Sequence, residues 1–115
     1  MILIVDDEPD IRDSLVEFFA DEGLPVQTAA DGGAALASLE RGELPWVVIL
    51  DLLMPVLDGN ALYERMQANP RWSRVPVIVS TSAPERAPVG ATVVRKPVNL
   101  TRLLKMVRRH CPTGA

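Results

Sequence analysis

Cysteine, histidine and aromatic residues are nearly missing from this 115-residue chain, which has one cysteine, one histidine and 4% aromatics. A lone Cys111 can form no internal disulfide, so a reducing, cytoplasmic setting is expected. Near the chain end it reads as a half-buried small hydrophobe and not as a nucleophile. No apolar run approaches the ~20 residues a membrane helix needs, and no charged leader precedes one. The expectation is therefore no membrane contact and no targeting segment. Nor is one charge in large excess: Lys+Arg 12 and Asp+Glu 15 give a net charge of -3, which disfavours nucleic-acid binding by bulk charge. With 48% hydrophobic and 23% charged residues the composition is that of an ordinary globular protein. The length allows one core and not two, so residues 1–115 are expected to form a single domain.

What the chain does have is a repeated grammar, in which apolar runs stop abruptly at reactive side chains. The run Val47-Val48-Ile49-Leu50 has no polar alternation, as in a strand buried on both faces of a parallel sheet, and it ends in Asp51, followed by Met54-Pro55 and Asp58-Gly59. Ile2 to Val5 is a second such run, ending in Asp6, Asp7 and Glu8. Pro76 to Thr81 is a third, ending in a hydroxyl, and Ala91 to Arg95 leads into Lys96-Pro97. Pro25 to Ala30 reads as a further short strand.

Helical spacing fills the intervals. Ile11, Leu15, Phe18 and Phe19 make one apolar stripe after Pro9, which suits a first helical turn, and Gly23 ends it. The turn Asp31-Gly32-Gly33 precedes a helix from Ala34 to Arg41, with Ala35, Leu36 and Leu39 inward. Another helix is expected over Ala61–Ala68, stopped by Asn69-Pro70. A closing helix carries Leu100, Leu103, Leu104 and Val107, with Asn99 or Thr101 at its cap and Arg108 and Arg109 at its end. Between Ser82 and Gly90 two prolines and no stripe leave room for a turn of helix at most. Five strands alternating with helices imply an α/β fold, with a doubly wound parallel sheet and right-handed crossovers. All strand ends then point one way, bringing Asp6, Asp7, Asp51, Thr81 and Lys96 toward one edge, where such sheets bind ligands.

Carboxylates gathered there repel, by roughly 4 kcal/mol for a pair about 4 Å apart at an effective dielectric of 20. Lys96 can offset part of this, and a hard divalent ion such as Mg²⁺ is the other candidate. Acids, a hydroxyl and a lysine around Mg²⁺ suit phosphoryl transfer, with Asp51 as nucleophile and Lys96 and Thr81 holding phosphoryl oxygens.

Together VDDEP (5–9), LDLLMPVLDG (50–59), PVIVSTS (76–82) and VRKP (94–97) resemble the receiver domain of two-component response regulators, in the manner of a chemotaxis regulator. The resemblance implies a flavodoxin-like five-stranded sheet of order 2-1-3-4-5, here with its fourth helix short or missing. It implies that Asp51 is the phosphoacceptor, Asp7 a direct Mg²⁺ ligand, Asp6 a ligand through water and the Leu53 carbonyl a backbone ligand. Thr81 would be the switch hydroxyl and Lys96 the phosphate-pairing lysine, with the Lys96-Pro97 peptide cis. The implied partners are a histidine kinase or histidine phosphotransfer protein and a downstream protein or attached effector. Catalysis beyond self-phosphorylation and self-dephosphorylation is not expected. A stand-alone regulator and a receiver cut from a larger protein both remain open.

The chain departs from the family pattern at three places. Val93 stands where a switch aromatic would be, the Thr81-to-Lys96 segment is short, and Ser82 and the bulky Leu53 flank the site. A pseudo-receiver that only binds protein is the alternative. A phosphatase with an aspartyl intermediate is less favoured, since Leu53 occupies the place of its second aspartate. Capping by Asp6 or Asp7 of the helix from Pro9 is a competing role for those acids, and Asp58 reads as a turn and cap residue. His110, beside arginines at a helix end, reads as surface, so the phosphoryl donor must be another molecule or domain. Arg102, Lys105, Arg108 and Arg109 read as a solvated face. Trp46 is expected to pack, and Trp72 to be a partly exposed cover.

Overall fold

A computed structural model of the chain describes residues 1–54 and 57–112, so Pro55 of the expected Met-Pro step lies outside the described residues. The order is β1 (Ile2–Val5), α1 (Pro9–Asp21), β2 (Val26–Ala29), α2 (Gly32–Glu40), β3 (Val47–Asp51), α3 (Gly59–Ala68), β4 (Val77–Thr81), a 3₁₀ turn (Pro84–Arg86), β5 (Thr92–Arg95) and α4 (Leu100–Arg108). The five strands form one parallel sheet in the order β2-β1-β3-β4-β5. Every residue of β1, β3 and β4 is buried, which explains their apolar runs: helices cover both faces, and polar side chains enter only at the carboxyl ends, with Asp51 in β3 and Ser80 and Thr81 in β4. The flanking strands β2 and β5 carry exposed residues instead.

Leu15 and Phe19 of α1, with Leu103 and Val107 of α4, pack on the face formed by Ile2, Ile4, Val47, Ile49 and Ile78. Ala35 and Leu39 of α2, with Leu62 and Met66 of α3, cover Leu3, Val5, Val48, Leu50 and Val79 on the other face. Each large side chain here is worth a few kcal/mol: truncating fully buried Phe19 to alanine would cost about 3–5 kcal/mol. Leu100 is the exception in the closing stripe, 37% exposed at the start of its helix.

The carboxamide or carboxylate oxygens of Asp31, Asp58 and Asn99 accept the N–H of Ala34, Ala61 and Arg102 at 2.7, 2.8 and 2.9 Å and cap α2, α3 and α4. Two helices consequently begin earlier than their sequence suggests, at Gly32 and Gly59 and not at Ala34 and Ala61. The glycines that read as turn punctuation are first-turn residues. Each is there because a neighbour lies too close for a side chain: a Cβ on Gly59 would collide with the Asp51 carbonyl oxygen, and one on Gly32 with that of Leu57.

The β4–β5 connection is thin, as its prolines suggested, with the three-residue 3₁₀ turn as its only helical element. Ala87, Ala91 and Val93 rest against the α2/α3-side core in place of a helix. Trp72 overturns its expected exposure. Turn bonds from the Trp72 and Ser73 N–H groups to the Asn69 carbonyl fold the link after α3 inward, leaving Trp72 only 6% exposed and its indole N–H without a partner among the described residues.

Candidate functional site

The hydrogen-bond ladder runs one residue past two strands and thereby fixes the site. The Asp6 N–H donates to the Ala29 carbonyl at 3.1 Å, extending β1, and the Lys96 N–H donates to the Thr81 carbonyl at 2.9 Å, extending β5. Asp51 closes β3 in register with Ser80. Asp6, Asp51 and Thr81 are 2%, 5% and 0% exposed, so two carboxylates lie in the protein with little water. The expected residues Asp6, Asp7, Asp51, Thr81 and Lys96 thus meet at one edge. The Lys96-Pro97 peptide is cis.

Lys96 is the hub of the charges. Its Nζ lies 3.1 Å from Asp6 Oδ2, 3.7 Å from Asp51 Oδ1 and 4.0 Å from Glu8 Oε1. Burial works to lower its basicity, but the Asp6 hydrogen bond and the charges of Asp6, Asp51 and Glu8 outweigh that and hold it above its ordinary value. The Asp51 carboxyl is raised from 3.8 to about 6, first by burial. Lys96 and the Leu53 N–H, which donates to Asp51 Oδ1 at 3.3 Å, oppose the shift, while Asp6 and Asp7 add to it. At Asp51 burial therefore outweighs the attraction of Lys96.

The acids divide by how they are held. Asp6 Oδ1 accepts the Glu8 N–H at 2.9 Å while Oδ2 takes Lys96, so both oxygens have protein donors. Neither Asp6 nor Asp7 caps α1, whose cap position is Glu8 without a side-chain bond. Asp7 is half-buried and makes no hydrogen bond or ion pair among the described residues. Oxygens of Asp6, Asp7 and Glu8 lie within 4.8 Å of one another, a hard-donor cluster of the kind that Mg²⁺ takes.

Thr81 Oγ1 accepts the Ala83 N–H at 3.0 Å, which ties the hydroxyl to the start of the thin link. Ser80 is buried beside Asp51, whereas Ser82 is exposed. Leu53, 48% exposed, stands two residues after Asp51. Beside Lys96 opens an apolar groove of about 500 Å³ lined by Ile11, Leu15, Pro97, Val98 and Leu100. His110 and Cys111 lie away from these groups, exposed and half-buried, as expected.

Three contributors were not picked out from the sequence. Glu8 joins the charge cluster, and it could have been included as the third member of an acidic run. Arg12 Nη1 donates to the Asp6 carbonyl at 2.8 Å, and Asn60 Nδ2 to the Arg86 carbonyl at 3.1 Å. Both bonds depend on how a helix start lies over a neighbouring loop, for which no local spacing rule exists.

The family model for the response regulator receiver domain matches residues 2–108. An uncharacterised 14.6 kDa protein from the sodA1 3′ region of Leptolyngbya boryana is 35% identical over 117 residues, covering 96% of this chain and 88% of that one. The signal receiver domain of a signal transduction histidine kinase from Syntrophus aciditrophicus has a TM-score of 0.85 at 28% identity, covering 95% of this chain and 87% of that one. The response regulator TrrA of Thermotoga maritima, solved in complex with Mg²⁺ and BeF, has a TM-score of 0.83 at 30% identity, covering 96% and 97%. The chain also matches several curated response and transcriptional regulators, of whose length it spans between 30% and 60%.

Proposed function

The chain belongs to the response-regulator receiver family, and from that premise we propose that it accepts a phosphoryl group on Asp51 from a partner's phosphohistidine, with Mg²⁺, and signals through an altered surface. The observation that carries this reading is a buried, incompletely neutralised Asp51 held 3.7 Å from Lys96 beside the Asp6-Asp7-Glu8 cluster.

With its carboxyl at about 6, Asp51 is about nine-tenths ionised at pH 7, so burial has not removed the nucleophile. The Leu53 N–H and Lys96 both face Oδ1, leaving the second oxygen without a donor among the described residues. That oxygen attacks phosphorus, the P–N bond breaks, and the imidazole leaves with the electron pair and is protonated from solvent. Lys96 and the Thr81 hydroxyl then bind phosphoryl oxygens, stabilising charge where it develops. The donor set fits Mg²⁺: Asp7 is free to ligate directly, Asp6 with both oxygens occupied suits contact through water, and Asp51 and the Leu53 carbonyl complete the set. When bound, the ion supplies positive charge to the phosphoryl oxygens.

A phosphoryl oxygen that draws the Thr81 hydroxyl away from the Ala83 N–H would release the start of the β4–β5 link. Val93 offers no ring to move, so the response lies in the link itself. The donor is a histidine kinase or phosphotransfer protein, for which the apolar groove beside Lys96 is a suitable seat. Leu53, an exposed apolar residue two positions after Asp51, would shield the acyl phosphate from water, so Leu53→Asn is expected to speed phosphate loss roughly three- to tenfold, followed as the decay of the phosphorylated form; an unchanged rate removes this role.

Thermal unfolding with Mg²⁺ and fluoroberyllate, a stand-in for the phosphoryl group, tests the reading. The wild type is expected to gain stability from the two together and Asp51→Asn to gain none. Equal gains in both would contradict it.

A further inference from the structure

A second cleft lies at the opposite end of the sheet from Asp51. Its volume is about 460 Å³, and it opens where β4 and β5 begin, between the C-terminal part of α3 and the end of α4. The floor is apolar, with Val75, Pro76, Val77, Ile78 and Met106. The walls carry Arg74, Arg109 and His110, together with the hydroxyls of Tyr63, Ser73 and Thr92 and the amide of Gln67. Among the described residues no carboxylate lines it.

The charge balance is unusual for this protein. Acids outnumber Lys+Arg 15 to 12, yet two guanidinium groups share this cleft with no carboxylate lining it among the described residues. The ion pairs among the described residues engage Lys96 and Arg108, and neither Arg74 nor Arg109 takes part in one. Two of the last α4 carbonyls, those of Val107 and Arg108, are taken by the N–H groups of His110 and Cys111, so the helix end offers the cleft cationic side chains more than bare carbonyls. Gathering like charges costs energy that an anion would return. Guanidinium forks match the paired oxygens of a phosphate, and a pair of them matches a dianion. The volume falls within the range of small-molecule sites.

We propose that this cleft binds a small organic phosphate monoester, with the phosphate between Arg74 and Arg109 and an apolar or planar body on the floor beside Tyr63. Such a ligand would reach the start of β4 and the segment entering β5, and so sit at the far ends of the two strands that lead to Thr81 and Lys96.

Amide chemical shifts of the full chain, titrated at low salt with adenosine 5′-monophosphate, inorganic phosphate or adenosine, test this. The nucleotide is expected to shift residues 73–77, 90–92 and 106–110, to bind more tightly than phosphate alone, and to do so equally in Asp51→Asn. Arg74→Gln and Arg109→Gln alter exposed side chains, so both variants should fold, and each is expected to weaken binding about tenfold or more. Three results would overturn the assignment: no shifts with millimolar nucleotide, shifts confined to the Asp51 edge, or affinity unchanged in both arginine variants. Inorganic phosphate binding as tightly as the nucleotide would overturn the role given to the floor.

Discussion

Two connections leave the same edge of the sheet side by side, and they are built differently. After Asp51 the chain returns through α3, a ten-residue helix with an aspartate cap and a glycine seated on the backbone of Asp51 and Leu52. After Thr81 it returns through a link whose only helical element is three residues long. Yet Thr81 and Lys96, at the ends of β4 and β5, are as firmly placed as Asp51. The ladder bond from the Lys96 N–H to the Thr81 carbonyl holds them, and no crossover helix is needed for that. The chemistry of such a site belongs to strand ends, while the shape of the responding surface belongs to the connections. The thin link therefore leaves the placement of these strand ends intact.

If that separation is correct, the largest effects come from strand-end residues. Lys96→Ala should slow phosphorylation of Asp51 by about a hundredfold or more, since it removes the one cation facing both carboxylates; a loss below tenfold in phosphorylation rate would shift weight to the metal alone.

Next comes the helical connection. Gly59→Ala drives a Cβ into the Asp51 carbonyl, which is backbone and has nowhere to go, so a loss of about 1–3 kcal/mol is expected in denaturant unfolding. An unaltered midpoint would mean that α3 can slide off the phosphoacceptor strand.

Asp51 itself should have a stability signature opposite to that of a salt-bridged acid. Its carboxyl is raised in the fold, from 3.8 to about 6, so the metal-free folded state binds the proton more tightly than the unfolded chain. This contribution to stability is complete below about pH 4 and is lost as pH rises through about 6. At pH 7 the ionised carboxylate is thus a burden on the order of 1–3 kcal/mol. Asp51→Asn should raise the Tm of metal-free protein at pH 7, by less as pH falls toward 4. A Tm lowered at pH 7 would show that Lys96 already neutralises the site.

The smallest effect belongs to the thin link. Asn60→Ala removes a single exposed bond to Arg86 and should cost less than about 1 kcal/mol, while amide exchange over residues 83–87 rises and phosphorylation is unchanged. Unchanged exchange would mean that packing of Ala87 and Val93 holds the link without this bond.

How far the sequence foretold this follows the same division. Strands buried on both faces declare themselves by continuous apolar runs, and the candidate site residues stand where those runs stop, so the sheet and the gathering of those residues at one edge were legible together. The cap at Asp58 and the thinness of 82–90 were legible from turn chemistry and proline. Helix starts at Gly32 and Gly59 were not, because the reason for each glycine is a backbone from elsewhere in the chain. Trp72 was misjudged because an aromatic residue in a link gives no sign of which way the link folds. Arg12 and Asn60 escaped notice since their partners are backbone carbonyls reached across space.

The central claim is that Asp51 accepts a phosphoryl group. It is tested most directly by the intact mass of the protein after incubation with a small-molecule phosphodonor, with and without Mg²⁺, for wild type and Asp51→Asn. The account predicts one Mg²⁺-dependent phosphoryl adduct on the wild type, labile to hydroxylamine and absent from the variant. No adduct under any condition, or one that persists in Asp51→Asn, would contradict it.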